Sequence, residues 1–558
     1  MVRLNYLASW LSLPLAAIAL SKTPLTLQEL RKQVKGGAQR LNERQTETAA
    51  ASKYPAYNIS VPIDHFHNDS FYEPHSDGFY NMRYWFDAQN YKPGGPVIVL
   101  CAGETSGVGR LPFLEKGIVA QLTQATNGIG VILEHRYYGE SWPVKDLSTP
   151  NMRFLTTDQA LADTAYFAQH VKFEGLEHLD LTSATTAYIA YGGSYAGAFV
   201  AFLRKLYPET YWGAISSSGV TEAIWDYWKY FEAAAKFAPA GCAETTQKMT
   251  NVVDNILLAK KKDTKLVGQI KQVFGLPNVT VDADFASAIN QGIYSLQSYN
   301  WDPKESEDTF FVYCANVTSD SVLYPATEPL RERVVELIEA GGWGNESETL
   351  TNRMLNYIGY VRGETVASCE NEDQDQCFAT ANGAVGGEDF TAFDIAQQWR
   401  SWPWQYCTQW GYIQTGNTPE GVLPVISRTI DLEYGSAICK RAFNLTEPAD
   451  VDAINKHGGF GISYPRLAII DGEWDPWRAA TPHALGLEER VDTLDEPFKL
   501  IAKAVHHWDE NGRFPNETTA NLPPSAVAEV QKAEAQFVRK WMQEWKLEQA
   551  RRSIASLP

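Results

Sequence analysis

The sequence predicts a doubly wound α/β fold, a largely parallel sheet with helices on both faces, interrupted by a helical insertion. Continuous apolar runs alternate with helical segments between residues 96 and 219, which is typical of strands that are buried on both faces of a parallel sheet. This alternation stops near residue 222 and returns at 464. The 558 residues also exceed the length of one minimal domain.

The strands and helices follow from these patterns. Aromatic-rich FYNMRYWFDA predicts an early antiparallel strand at 79–88. We predict buried strands at PVIVLCAG (96–103), GIGVILEH (128–135), AYIAYGG (187–193), WGAISSSG (212–219), YPRLAIIDG (464–472) and PFKLIAKAVHH (497–507). We predict helices at 154–171, where Thr156 and Gln159 suggest a capping box, at 196–208, and at 525–552, which is amphipathic.

The N-terminus has the features of a secretory signal peptide. Arg3 precedes a mostly apolar stretch, and Ala17-Ile18-Ala19 offers small residues for cleavage. We therefore expect a signal peptide at 1–21 and a leader or propeptide-like segment at 22–55. The rest of the chain is expected to divide into a first part of the α/β domain at 56–221, the helical cap insertion at 222–430, and a second part of the α/β domain at 431–558.

Charge and sequons agree with a secreted, or a vacuolar or lysosomal, location. The formal net charge is −19, which argues against nucleic-acid and membrane-surface partners because both favour clustered Lys and Arg. Seven N-x-S/T sequons predict glycosylation. They are Asn58, Asn68, Asn278, Asn316, Asn345, Asn444 and Asn516.

The seven cysteines predict three disulfides and one free thiol. Cys101 ends an apolar run and is expected to be a buried free thiol. Of the 15 possible pairings of the other six, we favour Cys242–Cys314, Cys369–Cys377 and Cys407–Cys439. They carry no CxxC motif. Because His65 and His67 also lack an evident third ligand, we predict neither a metal nor a cofactor.

The segment AYGGSYAGAF predicts a nucleophile elbow. Ser194 lies between a buried strand and an apolar helix, and its small neighbours allow the two elements to approach closely. The pattern G-x-S-x-G is met loosely, because Ala196 replaces its second glycine. The N–H of Tyr195 is the first candidate for an oxyanion hole, and an N–H near Gly103 or Glu104, in the loop AGETSG, is the second.

The acid and the base are expected in the second half of the α/β domain. In α/β-hydrolases they follow the serine in the order acid, then histidine, and each lies after a strand. DGEWDPW offers Asp471 or Asp475 as the acid, and AVHHWD offers His506 or His507 as the base. The residues alone leave both choices open.

These segments resemble the prolyl carboxypeptidase and dipeptidyl-peptidase family of secreted and lysosomal serine peptidases, including fungal-type extracellular serine carboxypeptidases. The resemblance rests on IDHF, EHRYYGES, FLTTDQALAD, GGSYAG, DGEWDPW and AVHHWD, which together span about residues 60 to 510. It implies an α/β-hydrolase fold with a helical cap and a triad of Ser194, Asp475 and His506. Many relatives have asparagine before the glycine at 472, where this chain has Asp471.

The resemblance also implies cleavage of peptide or protein substrates after proline, usually at acidic pH, by an exopeptidase. A rigid apolar proline suits an aromatic pocket, for which Trp477 is the candidate. The amino terminus of a substrate could pair with Glu104 or Glu134. The carboxylate of a substrate's C-terminus could pair with Arg136 or Arg400. Alternatives are an esterase or lipase of the same fold, or an inactive peptide-binding glycoprotein. Which chain end is attacked and the oligomeric state are unknown.

Overall fold

The structure is a computed structural model that describes residues 53–369, 373–379 and 390–555. The predicted signal peptide and all but the last three residues of the predicted leader lie outside this range. The strands are β1 Tyr57–Pro62, β2 Phe79–Asp87, β3 Val97–Cys101, β4 Ile129–Leu133, β5 Tyr188–Gly193, β6 Gly213–Ser217, β7 Ile224–Asp226, β8 Gly411–Ile413, β9 Leu467–Gly472 and β10 Phe498–Ile501.

The α-helices are numbered here in chain order over the described residues. They are α1 Pro112–Glu115, α2 Ile118–Thr126, α3 Thr157–His170, α4 Tyr195–Leu206, α5 Glu232–Phe237, α6 Cys242–Asp254, α7 Thr264–Val273, α8 Asp282–Ile289, α9 Gln291–Tyr294, α10 Thr309–Thr318, α11 Arg331–Ala340, α12 Ser347–Tyr360, α13 Gln374–Phe378, α14 Ser401–Gln405, α15 Leu432–Phe443, α16 Asp452–Asn455 and α17 Ser525–Ala555.

Eight strands form one sheet in the order β1-β2-β4-β3-β5-β6-β9-β10. The first two pairings, β1 with β2 and β2 with β4, are antiparallel, and the others are parallel. Every residue of β3 and β4 is buried, as expected for strands covered on both faces. The sheet confirms the predicted α/β-hydrolase class, including the antiparallel early strand.

The register brings the carboxyl ends of four strands to the same edge of the sheet. Gly193 pairs with Ser217 across β5 and β6, and Ser217 pairs with Ile470 of β9. Gly472 in turn pairs with Ile501 of β10. The loops that follow these strands therefore meet at one edge, where open α/β sheets place their sites.

Most of the insertion between β6 and β9 is helical, as predicted, but it also contains two short strands. Ile224 of β7 pairs with Gly411 of β8 in a small parallel sheet. These strands are three residues each, too short to show a periodic pattern. The small sheet joins the two ends of the insertion.

The three predicted disulfides are confirmed. Cys242 of α6 is bonded to Cys314 of α10, Cys369 to Cys377, and Cys407 to Cys439 of α15. Cys101 is a buried free thiol, as predicted. The third disulfide joins a residue of the predicted insertion to a residue beyond the boundary predicted at 430.

The C-terminal helix α17 packs its apolar face against the sheet. Phe537 and Trp541 are fully buried, and the Trp541 indole N–H donates to the carbonyl of Leu494 at 2.8 Å. The Trp212 indole N–H donates to the carbonyl of Trp541 at 2.7 Å. These contacts fit the predicted amphipathic helix.

Six of the seven predicted glycosylation positions are exposed or partly exposed. They are Asn58, Asn68, Asn278, Asn345, Asn444 and Asn516. Asn316 differs, because it is 9% exposed and its side-chain amide donates to the carbonyl of Val312 at 2.8 Å within α10. Its position disfavours a glycan, whereas glycosylation of the other six stays a prediction.

The described residues include neither a candidate membrane-spanning helix nor a candidate metal-binding cluster. Over these residues, no helix combines the length and the apolar character needed to cross a membrane. The same part of the chain holds no group of three or more His, Cys, Asp or Glu side chains placed to bind a metal ion. His65 and His67 follow the end of β1, and His65 Nε2 lies 2.7 Å from a carboxylate oxygen of Asp163.

Candidate active site

Ser194 occupies a sharp turn between β5 and α4. Its φ of 61° and ψ of −125° are sparsely populated for a residue other than glycine. A β-carbon on Gly192 would lie 2.2 Å from the carbonyl oxygen of Ala196, so only glycine allows the strand and the helix to approach this closely. This geometry is that of the nucleophile elbow that the sequence predicts.

This turn leaves the hydroxyl of Ser194 without a hydrogen bond to any residue that the structure describes. Its backbone N–H donates to the carbonyl of Ser217 at 2.9 Å, which ties the elbow to β6. Its Oγ is buried and has no hydrogen-bond partner among the described residues. A buried hydroxyl without a partner is unusual in a folded protein and indicates a functional position.

His506 and Asp475 form a buried pair. The Nδ1 atom of His506 lies 2.8 Å from Oδ2 of Asp475, and neither side chain has exposed surface. The other carboxylate oxygen of Asp475 accepts the backbone N–H of Trp477 at 2.9 Å. The opposite ring nitrogen of His506, Nε2, is buried and has no partner among the described residues.

The two alternative residues have other partners. Asp471 Oδ2 lies 2.6 Å from Nδ1 of His483. His507 Nδ1 lies 2.9 Å from a carboxylate oxygen of Glu510, and its backbone N–H donates to the hydroxyl of Ser218 at 2.9 Å. Of the four candidates, only His506 and Asp475 are therefore paired with each other.

The histidine loop lies directly against the elbow. A β-carbon on Gly193 would be 3.3 Å from Cγ of His507. Ser194 follows Gly193 in the chain, and His506 precedes His507. Two buried atoms without partners among the described residues, the serine Oγ and His506 Nε2, therefore belong to the same small region.

The predicted oxyanion-hole residues surround the start of α4. Tyr195 is the first residue of that helix, and the N–H groups of a first helical turn have no intrahelical acceptor. Gly103, with a φ of 72°, stands where a β-carbon would be 3.3 Å from Cβ of Ala196. The loop that carries Gly103 and Glu104 thus faces the helix N-terminus. The roles of these three residues stay predictions.

Trp477 is 1% exposed and belongs to an aromatic cluster behind the histidine. Its ring stacks on Tyr227 at a centroid distance of 5.4 Å and lies 6.4 Å from the ring of His506. Its indole N–H donates to Gln297 at 2.8 Å, and Tyr412 contacts it edge-on. Its predicted contact with the substrate stays a prediction.

Sequence reasoning missed the partners of Trp477. Tyr227, Gln297 and Tyr412 all belong to the insertion, and no motif marks them. They show that the insertion packs directly against the loop that carries the candidate acid. No signal in the sequence could have selected them, because most tyrosines of such a chain are simply buried.

Buried carboxyl groups surround the histidine loop. Asp509 accepts the hydroxyls of Ser217 at 2.6 Å and Tyr191 at 2.7 Å, and burial raises its pKa to about 6. Glu534 of α17 is fully buried with both carboxylate oxygens unpartnered among the described residues, and burial raises its pKa well above the usual range. Burial likewise raises the pKa of Glu104 to about 7.

Three of the four side chains considered for a charged chain end are already paired. Glu134 accepts Arg83 at 2.7 Å, and Arg136 lies 2.5 Å from Asp163. Arg400 donates to four backbone carbonyls, of which that of Ala442 is 2.6 Å away. Glu104 differs, since its Oε1 is buried without a hydrogen-bond partner among the described residues.

The chain matches known proteins over most of its length. A protein-family model described as "Serine carboxypeptidase S28" matches residues 62–522. A probable extracellular serine carboxypeptidase of Arthroderma benhamiae is 51% identical over 95% of this chain and 73% of its own length. The serine protease vicPa of Bipolaris victoriae is 27% identical over 77% of this chain and 81% of its own length.

Solved structures resemble this chain only distantly. A proline iminopeptidase of Mycobacterium smegmatis aligns with 88% of this chain and 99% of its own at 11% identity, with a TM-score of 0.32. A similarity at this level carries no inference. The family match and the relative from Arthroderma benhamiae are sufficient: this chain belongs to the serine carboxypeptidase S28 family of serine peptidases.

Proposed function

We propose that the protein is a secreted serine exopeptidase that cleaves after proline with Ser194, His506 and Asp475 as its triad. The observation that carries this proposal is the buried His506–Asp475 pair, 2.8 Å apart, whose free Nε2 belongs to the same region as the unpartnered hydroxyl of Ser194, as judged over the described residues. In this arrangement Asp475 holds the proton on Nδ1, so that Nε2 is the basic nitrogen.

The reaction then follows from the positions of these groups. His506 Nε2 takes the proton of Ser194 as Oγ attacks the substrate carbonyl. The resulting imidazolium then donates this proton to the leaving amine. The negative oxygen of the tetrahedral intermediate accepts the N–H of Tyr195 and one from the Gly103–Glu104 loop. Hydrolysis of the acyl-enzyme by water repeats the same proton transfers.

The substrate and the location are supported by the relatives and by the aromatic cluster. The relative from Arthroderma benhamiae is named an extracellular carboxypeptidase, which supports secretion and release of residues from the carboxyl end. Trp477 stacks on Tyr227 in the buried aromatic cluster next to the His506 ring, and this apolar surrounding supports a site for a rigid apolar ring such as proline.

The nucleophile is tested with a fluorophosphonate probe, which reacts with an activated serine. The wild type should be labelled, and Ser194→Ala should not. Ser218→Ala is a matched control, because this serine is also buried and close to the elbow, but its hydroxyl accepts the backbone N–H of His507. Equal labelling of the wild type and Ser194→Ala would refute the assignment.

The specificity is tested with three peptide sets that carry proline penultimate at the C-terminus, second from the N-terminus, or internal. Products are identified by mass spectrometry. Release of the C-terminal residue in the first set is the expected result. If no set is cut after proline, the proposed specificity is wrong even where Ser194 is labelled.

A further inference from the structure

Arg110 differs from the other buried arginines near the sheet. It is 9% exposed, and the one hydrogen bond found for it among the described residues runs from Nε to the carbonyl of Ala102 at 3.4 Å. By contrast, Arg83 and Arg136 bind carboxylates, and Arg204 donates to backbone carbonyls at 3.0 and 2.9 Å. Over the described residues, no ion pair joins Arg110 to a carboxylate.

The charges of Glu104 and Glu510 act on the Arg110 guanidinium, but neither carboxylate forms an ion pair with it among the described residues. A buried guanidinium that lacks a direct ion pair can gain one from an anionic ligand. Arg110 ends the short 3₁₀ helix Gly107–Arg110, which follows the loop that carries Gly103 and Glu104. Because Gly103 faces the first turn of α4, the guanidinium belongs to the side of the site where the oxyanion loop meets the elbow.

Glu104 lies in the same group, and one of its two carboxylate oxygens lacks a hydrogen-bond partner among the described residues. This atom, Oε1, is buried, and Arg110, His507 and Glu510 interact electrostatically with the carboxyl group. Tyr138 and Tyr195 are the other titratable neighbours of this carboxyl. His507 and Glu510 are paired with each other at 2.9 Å, which leaves Arg110 and Glu104 with unused hydrogen-bonding capacity.

We propose that Arg110, together with the carboxyl group of Glu104, is the receptor for the free C-terminal carboxylate of the substrate. The guanidinium supplies two parallel N–H donors and the neutral carboxyl supplies an O–H donor, which together match a carboxylate. The proposal rests on the proposed peptidase function and specifies its direction: the enzyme removes residues from the carboxyl end. Both side chains are specificity-determining and take no part in bond cleavage.

The pH dependence follows from the state of Glu104. Burial raises its pKa to about 7, so the group is neutral in acid and donates to the substrate carboxylate. As the pH rises through about 7 it ionises and repels that carboxylate. Binding of a free C-terminus should therefore weaken over this range, while binding of a C-terminal amide should not.

The test compares acetyl-Ala-Pro-Phe with its C-terminal amide, so that no free amine is present. The wild type should favour the free acid. In Arg110→Met the kcat/KM for the acid should fall by about 10- to 100-fold, mainly through KM, with the amide unchanged. Glu104→Gln should keep the preference for the acid but lose its decline above about pH 7. Lys116→Met is the control for removing a positive charge from the same segment.

Fluorophosphonate labelling separates this proposal from the proposed function, because the probe carries no carboxylate. Arg110→Met should label like the wild type, and an unchanged acid-to-amide ratio in it would overturn the receptor. If Arg110→Met does not fold, the acid-to-amide ratio of kcat/KM is measured in Arg110→Lys instead. A several-fold drop in this ratio is expected, and an unchanged ratio would overturn the proposal. If the wild-type enzyme cuts neither peptide, the proposed function is refuted instead. If the wild-type enzyme requires a free amino terminus on its substrate, the proposed carboxylate receptor is refuted.

Discussion

The Nδ1 atom of His506 lies 2.8 Å from Oδ2 of Asp475, and both side chains are fully buried. The pair joins the loop after β10 to the loop after β9, two segments whose strands are parallel neighbours in the sheet. Burial keeps water from competing for this hydrogen bond, so the imidazole is held in one orientation and one tautomer. His506 Nε2 is thereby left to act on a proton beside the elbow.

Replacement of Asp475 by Asn should reduce kcat by about 10⁴-fold, because the amide stabilises the wrong imidazole tautomer. The matched variant is Asp471→Asn, which alters the aspartate that pairs with His483. It should keep most of the activity. Both variants are compared by kcat on one proline-containing peptide, and a larger loss in Asp471→Asn would reverse the assignment of the acid.

Replacement of Glu534 by Gln should stabilise the protein at neutral pH. Burial raises the folded-state pKa of this carboxyl well above the usual range, whereas in the unfolded chain it ionises near about pH 4.3. The protonated group is compatible with its buried site, so its contribution to stability is greatest below the unfolded pKa and falls as the pH rises above it. The neutral amide of the Glu534→Gln variant cannot ionise, so the variant should not lose stability in this way.

The free energy of unfolding of Glu534→Gln should therefore exceed that of the wild type at pH 7, where the wild-type carboxyl would be ionised in the unfolded chain. The two proteins should differ little at pH 4. Urea titrations at both pH values measure this, and the exposed Glu529 of the same helix, changed to Gln, serves as the control. A wild type whose stability rises from pH 4 to pH 7 as steeply as the variant's would contradict the prediction.

The thiol of Cys101 should be inert in the folded protein. Burial raises its pKa to about 12, so almost none of it is thiolate at neutral pH, and the thiolate is the reactive form. The other six cysteines are bonded to one another. Ellman's reagent should thus detect no thiol in the native protein and one in unreduced, denatured protein. Two or more thiols in the denatured sample would show that a disulfide is missing.

The disulfides should differ in their contribution to stability. The Cys242–Cys314 bond spans 72 residues and Cys369–Cys377 spans 8. On the chain-entropy model, the longer loop contributes about 4 kcal/mol and the shorter one about 2.5 kcal/mol. Calorimetry of the two double-alanine variants should place the Cys242/Cys314 variant at the lower melting temperature. The opposite order would show that the chain-entropy model does not describe this insertion.

Local patterns predicted seven of the eight strands of the main sheet, and missed β1 at Tyr57–Pro62. The run VIVLC forms β3, and all five of its residues are buried. A continuous apolar strand is shielded from water on both faces only when the sheet is covered by a layer on each side. The insertion was less predictable. Its strands β7 and β8 are three residues each, and their pairing depends on segments about 190 residues apart in the chain.

The sequence by itself determined the α/β class, the position of Ser194 in an elbow and the six disulfide cysteines, because each depends on residues that are close along the chain or on a restricted chemistry. Only the tertiary structure showed that Asp475 rather than Asp471 contacts His506, and that Arg110 is buried without a direct ion pair among the described residues. These contacts form between loops whose strands are neighbours in the sheet but far apart in the sequence. A local sequence pattern therefore cannot predict them.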